Sequence, residues 1–170
     1  MKKWGLLLGV VVAGFVLWIT APHADVEKSD KQQITDLEHG LIEATNIKKV
    51  DQMMSFYDGT DRLIIFDAVP PLKYSGTKAW HKNLEGFVAA YNPGILEITD
   101  LQIVNDGTIG YAHSIQRFTG TDKDGKKVAM VFRVTDCLEK ENGKWKIVHE
   151  HNSMPIDYAS GKAYLNAELE

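Results

Sequence analysis

The chain has 170 residues, of which 44% are hydrophobic and 25% charged, with 14 Gly and 5 Pro. These are the proportions of one globular domain, and they exclude a collagen-like, disordered or disulfide-stapled chain. The formal charge of −4 offers no basic field for phosphates, so nucleic acid is not an expected partner.

Lys2 and Lys3 precede an uncharged run from Trp4 to Pro22, with Leu6 to Leu8 and Val10 to Val12 at its centre. The run reads as a signal peptide over residues 1–24 or as a membrane anchor through residues 4–22. Ala24 can serve as the last residue of a cleaved leader, although Pro22 lies close before it. The favoured reading is export to the periplasm or beyond. An uncleaved segment would be the chain's only membrane contact. Cys137 is the only cysteine, so an exported chain has no internal disulfide and its packing must hold it together. Cys137 itself reads as a small packed residue.

Residues 25–33 are polar and read as a linker; the domain proper is expected over 34–163. Ile34, Leu37, Leu41 and Ile42 recur at helical spacing. A break at 46–51 separates them from a short second helix carrying Val50, Met53, Met54 and Tyr57. Asp58 to Asp61 is turn chemistry, and Leu63 to Phe66 is a short strand ending at Asp67. Val69-Pro70-Pro71-Leu72 suits neither helix nor central strand. Ser75-Gly76-Thr77 opens a third helix with Trp80, Leu84, Phe87, Val88 and Tyr91 on one side.

Beyond Asn92-Pro93-Gly94 the period changes to two. Strands are expected over 95–105, 108–121, 126–141 and 144–154, joined by Asp106-Gly107, by Asp122 to Gly125 and by Asn142-Gly143. Four strands with short turns form an antiparallel meander. Three helices followed by such a sheet make an α+β fold. Residues 164–170, with Glu168 and Glu170, read as a solvated acidic tail.

Strand parity divides the sheet into two faces. One set holds Tyr111, His113 and Ile115, then Met130, Phe132, Val134, Asp136 and Leu138, then Val148, Glu150, Asn152 and Met154. This set is assigned to the helix-covered inner face. The other set includes Arg133, Cys137, Trp145, Ile147, His149 and His151. It is too apolar for plain solvent, so a homodimer through this outer face is expected. A one-residue slip in a hairpin would exchange the faces. An apolar cavity carrying His113, Asp136, Glu150 and Asn152 has the make-up of a small-molecule site, with Trp80, Tyr111 and Phe132 as further wall residues. Buried carboxyls there would be candidate acid–base groups; the alternative is a buried polar network that satisfies itself. His149 and His151 share a face, but two imidazoles lack a third metal ligand, so hydrogen bonding at the interface is the preferred reading. No Ser-His-Asp set, phosphate loop or dinucleotide fingerprint is present, which favours binding alone or chemistry without a cofactor.

The stretches Phe66 to Gly76, Phe132 to Pro155 and Ile156 to Ala163, with the ending Trp145-x-x-x-His149-x-His151-x-Ser153, resemble the SnoaL-like branch of the nuclear transport factor 2-like superfamily. The resemblance spans roughly residues 30–163. It implies a cone: three helices packed on a strongly curved antiparallel sheet, often dimeric through the outer face. Relatives include ketosteroid isomerase, polyketide cyclases, dehydratases and kinase association domains, so fold leaves activity open. The resemblance places Asp67 where the isomerase holds its general base. It makes Asp67, with His113 or Asp136, the catalytic candidate; the alternative is a turn-capping carboxylate. Leu41 and Thr135 fall where the isomerase carries its oxyanion donors, and neither is a residue of that kind.

Overall fold

The computed structural model describes residues 28–165. The expected signal peptide or anchor, and Glu168 and Glu170 of the tail, lie outside the described residues. Among the described residues no helix is long and apolar enough to cross a membrane.

Helix α1 spans Asp30–Asn46 and starts inside the expected linker. Ser29 is its N-cap, accepting a hydrogen bond from the Gln32 amide at 3.2 Å. Asp30 then anchors the helix start to the far sheet. Its Oδ1 accepts from Lys140 Nζ at 2.6 Å and from Trp145 Nε1 at 2.9 Å. These long-range contacts explain why polar residues with no apolar period are ordered here. The short helix α2 spans Val50–Met54, strand β1 Ile64–Phe66 and strand β2 Tyr74–Ser75. Helix α3 spans Thr77–Ala90 and begins at Gly76, whose φ of 80° suits glycine. The sheet continues with β3 (Tyr91–Asn105), β4 (Ile109–Asp122), β5 (Lys127–Glu141) and β6 (Lys144–Ser153). The two-residue strands β7 (Ile156–Asp157) and β8 (Lys162–Ala163) form a separate hairpin. Tyr164 and Leu165, expected in a free tail, are tied down. The Tyr164 amide donates to Pro155 O at 2.7 Å and the Val131 amide donates to Leu165 O at 2.9 Å.

The six-stranded sheet runs β2-β1-β6-β5-β4-β3. The β3 to β6 meander is antiparallel as expected, and β1 joins its edge in parallel to β6. The core is apolar: Ile34, Leu37 and Leu41 of α1, Trp80 and Leu84 of α3 and Ile147 of β6 are all buried. The architecture is thus α+β, with N-terminal helices on a large curved sheet.

The face assignment needs two corrections. The β4–β5 loop holds one residue more than the expected turn, because Thr121 pairs with Lys127 and not with Lys126. Every β4 side chain therefore changes face. Ala112, Ser114, Gln116 and Phe118 are buried under the helices, while Tyr111 and His113 are exposed on the outer face. On β6, Cys137 pairs with His149 but Leu138 pairs with Ile147, which leaves Val148 as a one-residue bulge. Glu150 and Asn152 keep the expected inner face, and Trp145 and Ile147 join the core from the opposite parity.

Candidate functional site

A cavity of about 220 Å³ lies between the helices and the sheet. Helix α3 offers it Trp80, Asn83, Leu84 and Phe87, spaced i, i+3, i+4, i+7 on one face. Helix α1 adds Leu41, Ile42 and Thr45. The sheet floor is Gln116, Met130, Phe132 and Val134, with Glu150 and Asn152 on β6 and Met154 just beyond it. Asp67 borders the cavity because β1 runs in register with β6: Phe66 faces His151, which brings the next residue beside Asn152.

Polar groups gather on the β1–β6 side. Glu150 is 5% exposed, and both its oxygens accept hydrogen bonds: Oε2 from Tyr57 Oη at 2.6 Å, Oε1 from Asn152 Nδ2 at 2.7 Å. Tyr57 is held in place by its neighbours on β6, since the Ile147 amide donates to Phe56 O at 3.0 Å and the Asp58 amide to Ile147 O at 2.8 Å. Burial raises the Glu150 carboxyl above the usual range, while Tyr57 and Asn152 oppose the rise and Asp67 adds to it. Asp67 Oδ1 accepts from the Ala68 amide at 2.7 Å. Its carboxyl is also raised by burial, against the pull of Ala68, Asn83 and Asn152. Asn83 in turn accepts from Tyr74 Oη at 2.7 Å.

Behind Glu150 stand two more carboxyls. Asp136, 2% exposed, is its cross-strand partner, and Glu38, 1% exposed, meets Asp136 from α1. Burial, then the charge of Glu150, pushes Glu38 up to about 8, against a hydrogen bond with Asp136. Burial, then Glu38 and Glu150, hold Asp136 well above the usual carboxylate range. Glu38 Oε1 and Asp136 Oδ1 have no hydrogen-bond partner. Burial and mutual repulsion thus favour the neutral form of both groups, while the hydrogen bonds to Glu150 favour its charged form.

The structure thus brings Asp67, Trp80, Phe132, Glu150 and Asn152 together around one cavity. It separates three other candidates from it. Tyr111 and His113 lie on the opposite face of the sheet, a consequence of the longer β4–β5 loop. Asp136 is buried behind the wall and does not border the cavity. Thr135 is exposed on the outer face, whereas Leu41 is cavity wall. On the outer face the His149 ring bonds Ile64 O through Nδ1 at 2.7 Å, and Phe66 packs edge-on to His149 and His151. Among the described residues no group of three His, Cys, Asp or Glu is placed to hold a metal ion.

Tyr57, Asn83, Gln116 and Glu38 were not singled out from the sequence. Glu38 had a readable signal: it sits four residues after Ile34 and three before Leu41, on the apolar stripe of α1. The others carry no such mark, because their roles depend on contacts across the fold.

No curated protein matches the chain. Several solved structures are similar in fold. A nuclear transport factor 2-like protein of unknown function from Pseudomonas putida KT2440 is 23% identical with a TM-score of 0.72, covering 81% of this chain and 95% of that one. A nuclear transport factor 2-like superfamily protein from Salmonella enterica serovar Typhimurium is 19% identical with a TM-score of 0.70, covering 79% and 96%. A candidate scytalone dehydratase from Novosphingobium aromaticivorans is 14% identical with a TM-score of 0.66, covering 82% and 95%. The SnoaL-like domain family matches residues 34–157, from the first buried residue of α1 to the end of β7, and the chain belongs to that family.

Proposed function

We propose that this is an exported ligand-binding protein whose cavity takes a small, largely apolar molecule. The observation that carries the reading is the cavity itself: an apolar space of about 220 Å³ with Asp67, Asn83, Gln116, Glu150 and Asn152 as its polar points. The basic start at Lys2 and Lys3 and the uncharged run to Pro22 support export. The apolar residues of the outer sheet face support self-association as a homodimer.

A second reading has a specific observation in its favour. Asp67 and Glu150 share Asn152 yet sit in different surroundings, which is how one site separates an acid from a base. In that reading the protein is a cofactor-free isomerase, dehydratase or cyclase, with Asp67 as general base. The similarity to a candidate dehydratase accords with it.

One experiment addresses both. Native mass spectrometry of wild-type and Asp67→Asn protein, purified without detergent, should show a small apolar adduct in each. If Asp67 moves a proton, the variant retains unconverted substrate, and the released adduct differs from the wild-type one in mass for a dehydration or in chromatographic retention for an isomerisation or cyclisation. The same compound by mass and by retention in both removes Asp67 as a catalytic residue. An empty cavity in both, which also refuses a panel of apolar compounds, overturns the binding reading.

A further inference from the structure

The cavity's charge pattern narrows its ligand further. Asp67 and Glu150 border it, and among the described residues no Lys, Arg or His does. Glu150 is nearly inaccessible, and each of its oxygens already accepts a hydrogen bond, from Tyr57 and from Asn152. These two bonds oppose the rise that burial causes and so favour the charged form of Glu150. Its neighbours on the far side, Asp136 and Glu38, supply no positive charge. A buried carboxylate whose surroundings hold only neutral donors is left without the countercharge that normally offsets its lost hydration. Asn152 touches both acids, so a group placed beside it meets both carboxyls at once. Trp80, Phe87 and Phe132 also line the cavity, offering ring surface to an apolar body or a cation.

We infer that the cavity selects a cation: a protonated amine on an apolar body, its ammonium against Asp67 and Glu150 and its body against Trp80 and Phe132. The inference rests on the cavity being a ligand site. An anionic ligand of the same shape meets like charge. A neutral alcohol leaves Glu150 unbalanced.

Three compounds of one ring system separate these cases: 1-naphthylmethylamine, 1-naphthalenemethanol and 1-naphthoic acid. Calorimetric titration at neutral pH should show the amine binding at least about tenfold more tightly than the alcohol, with the acid weakest. Glu150→Gln keeps the side chain's shape and removes its charge. It should cost the amine about tenfold or more while leaving the alcohol within about twofold. Asp67→Asn, at a half-buried position, provides the same comparison if the buried variant does not fold. An alcohol or acid that binds as tightly as the amine, or equal losses for amine and alcohol in the variants, overturns the charge selection and leaves the apolar cavity standing. If none of the three binds, the ligand-site reading falls and this inference with it.

Discussion

Glu38 is an acid placed where α1 calls for a hydrophobic residue, and its surroundings set the sign of its effect. Within contact range it meets Asp136 from β5 and the field of Glu150 from β6, with Tyr57 beyond, and among the described residues no cation. In the unfolded chain its carboxyl ionises near 4.5, and in the folded protein near 8. Between those values the folded state keeps a proton that the unfolded state has released. The resulting stability is fully present below about pH 4.5 and is lost as pH rises through about 8. The Glu38→Gln variant cannot ionise and keeps the hydrogen-bonding shape. Its melting temperature, followed by circular dichroism, should fall less than that of the wild type between about pH 5 and about pH 8.5, so that the variant gains relative to the wild type at alkaline pH. Parallel pH profiles would show that Glu38 is not held protonated. The same residue shows what a sequence can reveal at this scale: an acid on an apolar stripe is visible, but the two carboxyls it meets are about a hundred residues away in the chain.

At the scale of elements, the aromatic cluster at one end of the cone sets a test. Gly94 of β3 pairs with Gly120 of β4, and the Phe118 ring lies over both. A Cβ on Gly120 would stand 2.9 Å from that ring and 3.2 Å from Pro93 O. Phe118 is buried and held by Phe87 at 5.1 Å and Tyr91 at 4.9 Å between ring centroids, so it has nowhere to go. Gly120→Ala should therefore destabilise the fold by about 1–3 kcal/mol in urea unfolding. Gly86, exposed within α3, meets nothing within 4 Å of its Cβ position. Gly86→Ala should stabilise by about 0.5–1 kcal/mol. If both substitutions shift stability alike, packing at Phe118 is not the cause. The elements themselves were legible, because helical spacing and Gly-containing turns are local signals. The faces were only half legible. One extra loop residue before Lys127 inverted β4, and the bulge at Val148 brought Trp145 and Ile147 into the core. Neither is marked by a local residue preference, since both depend on which register buries more apolar surface. So Asp67, Glu150 and Asn152 border the cavity, whereas Tyr111 and His113 lie on the other face of the sheet.

For the whole molecule, the sheet separates two surfaces that can be altered independently. The cavity lies between the helices and the inner face of the sheet. On the outer side Val104, Ile109 and Tyr111 are 52%, 57% and 44% exposed, and Val104 and Tyr111 are directly paired across β3 and β4. The row continues through Cys137 of β5 to His149 of β6. The apolar strip formed by Val104, Ile109 and Tyr111 is costly to leave in water. A second copy of the same face would cover it with a two-fold, self-complementary contact. Sedimentation velocity at micromolar concentration should therefore give a dimer, and Tyr111→Asp, which sets two like charges across that contact, should give a monomer. Because Tyr111 points away from the cavity, the variant's affinity for a cavity ligand should stay within about twofold of the wild type. A monomeric wild type, or a dimer that survives Tyr111→Asp, would show that this strip is not the interface. Loss of ligand affinity in the monomer would show instead that the curvature shaping the cavity depends on the second copy.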